Sequence, residues 1–581
     1  MKKLMCLLLV VAMLLSFMAC AKNEGEKTSG DVTTMAPEVN PFEEFFEISW
    51  LVQYTKNYEE GRWDELELEE KFNVDLKVWN TDYDNAEELT LMISAGNVPD
   101  MGFYPKDPIE LYEQGLTRTI NMNMIKTYLP GYYEIIEEYP IGLKFNAVPD
   151  TENEYYGITM ASALSKFYYS NHAIRLDWLE NIGYTLDDLT PFKTPDVFNQ
   201  YGNFENAVYF SNRMFTYDEF LDINKSFTED DPDGNGEDDT YFGISLGIHT
   251  WNRLTLATFG IHIDGNSLYK DNLTGDVVPY YAYEGYRDFL IWETDALEKG
   301  YIRKLPGADT WLNELYAAWA SRKHGYYELS SQDVLAEYKP DFSMSLAPGS
   351  VLKEDPDATF VIFPGFTGPA GYGGNTRYSP TPYRGGGWGT WKIGKEVTDD
   401  KLARILQMME YTHFDKDAYL RYWYGIEGIH YKWLGEPGKS SILSTPADQL
   451  PAEYASGAPV NIFASNKFLM DMSIWSLFSS YYYTWHFYQE ENGWGKYDVE
   501  PYKYVDRMYF TQELYEKYDK TNQEVKDSLS AVRSEFWNNA HEGQIAEIHN
   551  EWSSYLERLY SNGLDKLVEI FNSDEMGLFL K

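Results

Sequence analysis

Cysteine is nearly absent from this chain of 581 residues, with only Cys6 and Cys20 present. Cys6 lies in an apolar run, residues 4–17, that follows Lys2 and Lys3, which is the pattern of a secretion signal too short to remain as a membrane span. Removal of that signal leaves Cys20 as the sole thiol, so no disulfide forms within the mature chain. Positive charge is scarce as well. There are 48 Lys and Arg against 92 Asp and Glu, and loss of Lys2 and Lys3 leaves 46 against 92. Such a surface repels polyanions, which excludes nucleic acid and makes phosphorylated ligands poor candidates. No internal repeat of solenoid type is present.

Complete catalytic motifs are also missing. Gly243-Ile-Ser245-Leu-Gly247 matches the nucleophile elbow of serine hydrolases, and His324 and His430 follow it, but no His-Gly-Gly type oxyanion segment precedes it. Residues 389–396, GTWKIGKE, spell a phosphate-binding loop except that Glu396 replaces the Ser or Thr that holds magnesium. His541-Glu542 opens a zinc-protease pattern whose second His is Ile545. A glycosidase needs two placed carboxylates, and no motif singles out a pair among 92.

What is present begins at the signal's end, where Phe17-Met18-Ala19-Cys20 sets a small residue before the cysteine, as lipoprotein processing requires. Cys20 is therefore the expected lipidation site. Residues 21–40, rich in Lys, Glu, Gly, Ser, Thr and Pro without periodicity, read as a tether. The remaining length is too great for one core, so two or more lobes are expected. Aromatic residues make up 17% of the chain, including 17 Trp and 49 Tyr, more than a core of this size needs. The surplus suits stacking on sugar faces.

Residues 48–78 alternate strand, helix and strand as a βαβ unit, and residues 86–94 continue as a helix ended by Gly96. Thr216 and Glu219 form a capping box, and Phe220, Ile223 and Phe227 then give a helix one apolar face. Asp231, Asp233, Asn235, Glu237 and Asp239 follow at alternate positions around Gly234 and Gly236. Such a loop offers a hard cation side-chain oxygens and, at Glu237, a carbonyl, so calcium is the expected ion. It is no EF-hand, because Phe242 occupies the place of the closing Glu and residues 241–246 read as a strand. A metal-free acidic turn is the alternative.

This helix, acidic loop and strand resemble a segment of the extracellular solute-binding proteins of ABC importers, specifically the large family 1 lipoproteins that bind saccharides. Thr240 stands where that family often places a Glu. Residues 91–100 resemble its Ala-Ser-Gly-x-x-Pro-Asp signature, Arg175-Leu-Asp177-Trp178-Leu179 its Arg-x-Asp-Trp-Leu, and Gly425-Ile-Glu427-Gly428 its Gly-x-Glu-Gly. The C-terminal helices around Gly563 also look like that family's. Residues 184–215 read as an insertion that its pattern does not explain.

The resemblance implies a two-lobe α/β fold of the periplasmic-binding-protein type II class, with a ligand cleft between lobes. Its boundaries would be a signal at 1–19, a lipidated tether at 20–45, an N-terminal lobe at 46–163 and 365–412, and a C-terminal lobe at 164–364 and 413–581. It brings Tyr104, Lys106, Asp107, His249, Trp251, Tyr326, Glu328 and Trp388 to strand ends at the cleft as ligand-binding candidates, and makes the calcium structural. It implies a monomeric, non-enzymatic protein, lipid-anchored on the extracellular face of the membrane, that passes an oligosaccharide to permease subunits. A secreted glycoside hydrolase or esterase, and a surface adhesin or sensor subunit, are the alternatives.

Overall fold

The computed structural model describes residues 42–52, 58–81, 86–163, 170–191, 206–249, 252–262, 267–305, 311–330, 349–371, 373–376, 381–433, 442–454, 462–468, 470, 488–499, 503–505 and 512–576. Met1–Glu44 separates from the body, Phe45–Lys581. Cys20 lies outside the described residues.

The body begins with the expected βαβ unit. Phe46–Leu51 and Val74–Val78 pair in parallel, with Ile48 facing Leu76 and Trp50 facing Val78. The helix Trp63–Phe72 connects them and ends at Asn73, whose φ of 49° stops it. Met101–Phe103 adds on the other side of the first strand. Thr390–Gly394, Ile158–Ala161 and Tyr383–Arg384 extend the sheet, in the order Tyr383–Arg384, Ile158–Ala161, Thr390–Gly394, Met101–Phe103, Phe46–Leu51, Val74–Val78, and Thr117–Arg118 also pairs with the end of Thr390–Gly394. Ile48, Trp50, Leu76, Met101 and Ile393 are fully buried in this first lobe.

A second sheet runs Tyr326–Ser330, Ser170–Arg175, Phe360–Phe363, Val208–Phe210, Thr190–Pro191. Tyr326 N–H donates to the Phe242 carbonyl at 2.8 Å, which brings Gly243–Ser245 beside it, and Gly243–Ser245 pairs in parallel with Ile302–Lys304. Val208–Phe210 runs parallel to Phe360–Phe363, so part of the segment read as an insertion is a sheet strand of the second lobe. Aromatic rings fill that lobe: Phe220 lies 4.7 Å from Phe366 and 5.3 Å from Trp292, centroid to centroid.

The chain leaves the first sheet after Ala161, enters the second at Ser170, and returns from Phe363 to Tyr383. A third passage corrects the boundary expected at residue 412. Asp415 ends the helix Asp399–Phe414 and caps the next, Lys416–Tyr424, by accepting from Ala418 N–H at 2.8 Å, so the two form a hairpin with no linker to carry the chain across. Arg421 grips Glu67 with bonds of 2.7 and 2.5 Å, and Trp50 Nε1 donates to the Ile462 carbonyl at 2.9 Å. Phe468 lies on Tyr132. The described residues between 416 and 468 therefore belong to the first lobe. Tyr488 stacks on Phe210 at 4.2 Å and Trp494 Nε1 bonds Asn212, so residues 488–499 belong to the second.

The C-terminal helices Gln512–His541, Ile548–Leu559 and Asp565–Phe571 pack on Glu284–Glu298 and on one another. Gly563, at φ 105°, turns the chain between the last two, as its place in the sequence predicts. Among the described residues no helix is long and apolar enough to cross a membrane.

Candidate ligand-binding site

In both sheets the crossing segments leave from the C-terminal ends of the parallel strands, the edge at which open α/β sheets receive ligands. Five of the predicted ligand residues prove to support that edge.

Tyr104 follows Met101–Phe103 but is 1% exposed. Lys392, itself buried, sends its ammonium to the Tyr104 and Gly387 carbonyls and sits 4.8 Å from the Tyr104 ring centroid. Burial holds the Lys392 pKa well below its ordinary value. The ring is thus a packing element, and the expectation that it stacks on ligand is corrected. Asp107 is an N-cap: Oδ1 accepts Ile109 N–H at 2.9 Å and Glu110 N–H at 3.1 Å, ahead of Pro108 at the first helical position. Lys106 Nζ donates to Thr90 Oγ1 at 2.8 Å.

In the second lobe Tyr326 is buried, lies flat on Phe242 at 4.8 Å and pairs its hydroxyl with His172 Nδ1 at 2.8 Å. Glu328 is also buried, and its carboxylate accepts the N–H groups of Leu254 and Thr255. Burial pushes its pKa up to about 7 against those hydrogen bonds. Both side chains are enclosed, which corrects their assignment to the ligand. Trp251 and the side chain of Trp388 lie outside the described residues.

His249 is half-buried and lines a cavity of about 550 Å³ at the ends of Gly243–Ser245 and Ile302–Lys304. Burial lowers its pKa. Much of the remaining wall comes from residues the sequence reading does not single out, among them Tyr280, Tyr286, Arg533, Trp537 and Asn538. Trp537 and Tyr286 face each other at 6.2 Å with planes 15° apart, and Arg533 donates to Tyr280 Oη at 2.5 Å. The spacing of Arg533, Trp537 and Asn538 on one helix face is the only signal in the sequence that could have found them.

The near-motifs resolve as structure. Ser245 is buried and its hydroxyl bonds the Glu293 carboxylate, whose other oxygen meets His541 Nε2 at 3.0 Å. An acid thus stands where a hydrolase's His base would contact the serine. Residues 390–394 are a strand, so they form no phosphate loop.

The acidic loop lies apart from the cavity. Asp231 accepts Asn235 N–H at 3.1 Å and Gly236 N–H at 2.8 Å, and Asn235 Nδ2 donates to Asp233 at 3.0 Å. Lys323 Nζ lies 2.5 Å from Asp239 Oδ2 and lowers the Asp239 pKa. Burial, with Asp231 close by, raises that of Asp233. Thr240 turns its hydroxyl to the Phe227 carbonyl at 2.7 Å, anchoring the loop to the helix Tyr217–Glu229 instead of contributing an oxygen to it. Among the described residues no group of three or more His, Cys, Asp or Glu side chains is gathered as a metal cluster.

No family model matches the chain. The polygalacturonan/rhamnogalacturonan-binding protein YtcQ of Bacillus subtilis is 25% identical over 380 residues, which span 63% of this chain and 62% of that protein. An HMO-binding, ABC-transporter-associated solute-binding protein of Bifidobacterium longum infantis superposes with a TM-score of 0.61 at 16% identity, over 90% of this chain and 97% of its own. The S. pneumoniae ABC-transporter substrate-binding protein FusA, in complex with kestose, gives 0.55 at 17% identity over 92% and 98%. The chain has the two-lobe α/β fold of the solute-binding proteins of ABC transporters, as the resemblance carried by its acidic loop implies.

Proposed function

We propose that the chain is the substrate-binding protein of an ABC importer, held on the extracellular face of the membrane by a lipid on Cys20, and that it captures an oligosaccharide between its lobes for delivery to permease subunits. The cavity carries this reading. Trp537, Tyr286 and Tyr280 supply flat apolar faces, while His249, Arg533 and Asn538 supply polar edges, the combination that holds a sugar ring by its C–H face and its hydroxyls. The Bacillus subtilis relative, a polygalacturonan/rhamnogalacturonan-binding protein, supports a saccharide ligand. Closure of two lobes on the ligand would give micromolar affinity or better, near −8 kcal/mol.

The protein binds and releases without chemistry. A glycosidase would need two carboxylates about the scissile bond, and among the described residues the cavity wall includes neither Asp nor Glu. Calcium is a structural ion in this reading, held by Asp231, Asp233, Asn235 and Asp239 with the Glu237 carbonyl, an oxygen-only donor set suited to a hard cation.

Calorimetry with a panel of oligosaccharides tests the function, on the full chain and on Trp537→Ala. A hit on the wild type that weakens about thirtyfold in the variant, with unchanged melting, is expected from loss of a stacking platform. Peptides binding where every saccharide fails would remove the reading.

A further inference from the structure

In a chain with nearly twice as many acids as bases, the cavity inverts the charge. Lys304 and Arg533 line it together with His249, and among the described residues no carboxylate does. Glu293, just behind Ser245, is engaged by Ser245 and His541. Arg533 is half-buried, its guanidinium 4.2 Å from the Tyr281 ring centroid and tied to the Tyr280 hydroxyl, and among the described residues it meets no Asp or Glu. Two aromatic rings and a hydroxyl hold the fork in place without neutralising it.

The first lobe repeats the pattern at its own strand edge. Lys467 places its ammonium 5.0 Å from the Phe103 ring centroid, close enough to Arg384 for the two charges to oppose each other, and neither has an acidic partner among the described residues. Burial, followed by the Arg384 charge, brings the Lys467 pKa down to about 8. Arg384 pairs with Met160, next to Ala161 where the chain leaves for the second lobe. Arg384 itself is exposed, whereas Lys467 and Arg533 are half-buried, and a half-buried cation without a counter-ion is an incomplete site, because desolvating a charge is unfavourable until an opposite charge joins it.

Resting on the saccharide reading above, we infer that the ligand is an acidic oligosaccharide, a uronate-bearing chain, whose carboxylate is received by Arg533 in the cavity, with Lys467 and Arg384 meeting a further carboxylate from the opposite lobe. Arg533 offers a planar fork that matches a carboxylate, and Trp537 beside it offers a platform for the same sugar ring. The negative net charge does not forbid this. At physiological ionic strength charges beyond about 8 Å are screened, so the cations lining the cavity act on a bound residue more strongly than the distant acids do.

The test is calorimetry on the full chain with three probes of equal length: a hexuronate trisaccharide, its methyl ester, and a neutral hexose trisaccharide. The acid should bind at least tenfold more tightly than the ester, the preference should shrink when salt is raised from 50 to 500 mM, and Arg533→Gln should abolish most of it while Arg533→Lys keeps part. Equal binding of acid and ester on the unaltered protein overturns the inference, whatever the variants do. A persisting preference in a normally melting Arg533→Gln overturns the role of Arg533. Tight binding of the neutral trisaccharide alone overturns the acidic ligand and leaves the saccharide reading intact, whereas failure of all three probes and of the wider panel overturns both.

Discussion

Glu328 receives the backbone N–H of Thr255 at 2.7 Å, and with its other oxygen that of Leu254 at 2.9 Å, so a strand carboxylate closes the open start of the helix Arg253–Thr258. Asn252, the residue in the N-cap position, makes no side-chain capping bond. Orphan N–H groups at a helix start need an acceptor, and here one comes from more than 70 residues away.

That arrangement fixes a pH dependence. The folded-state pKa of Glu328, about 7, lies above the ordinary 4.5, so the native state holds this proton more tightly than the unfolded chain does. Stability contributed by the protonated form is full below about pH 4.5 and is lost as pH rises to 7. The change is roughly 2–3 kcal/mol. Glu328→Gln should remove this part of the slope, as read from denaturant unfolding at pH 5 and pH 8. Parallel slopes in the two proteins would show that Glu328 does not titrate between those values.

Local signals were legible and tertiary ones were not. Thr216 and Glu219 form their capping box as written, and Phe220, Ile223 and Phe227 are all buried, because a cap and a 3.6-residue period act within one helix. Glu328 shows the limit: in sequence, a carboxylate that will face a cleft looks the same as one that will cap a distant helix. Arg533 and Trp537 escaped notice for the same reason. They lie on a 30-residue amphipathic helix, and only the packing of Tyr286 against Trp537 shows which stretch borders a cavity. The boundary at 412 failed because Asp415 stops one helix and starts another without indicating that both stay on the same lobe.

Gly563 provides a sharp test of the C-terminal packing. Its φ of 105° is strained for any L side chain, and a Cβ there would overlap the Val525 side chain. Gly563→Ala should therefore destabilise by more than 1 kcal/mol, the strain and the clash adding. A drop in thermal midpoint checks it, and Val525→Ala in the same chain should recover part of the loss. An unchanged midpoint would mean that the helices Gln512–His541 and Asp565–Phe571 adjust freely about this glycine.

Cys20→Ser should move the expressed protein from the membrane fraction to the medium, because acyl chains on that thiol would supply the proposed anchor at about 0.8 kcal/mol per buried CH₂. Equal retention of the variant would assign the anchoring to something other than lipid on Cys20.

Calcium removal tests the acidic loop, and Lys323 makes the test specific. The Lys323 ammonium lies 2.5 Å from Asp239, and the Asn235 amide bridges Asp233 and Asp239. A cation at the loop's centre would displace both contacts and relieve the crowding of Asp231 on Asp233. Calcium at 100 times its Kd should then stabilise by about 2.7 kcal/mol, seen as a rise in melting temperature that chelator reverses. Asp231→Ala should abolish the response, since Asp231 closes the turn and would supply the first ligand. Lys323→Met should strengthen calcium binding by removing the ammonium that competes for Asp239, an effect that a purely structural loop would not show. If chelator leaves melting unchanged, purified protein carries no calcium and Lys323→Met behaves as wild type, the loop is an acidic turn closed by its own amides.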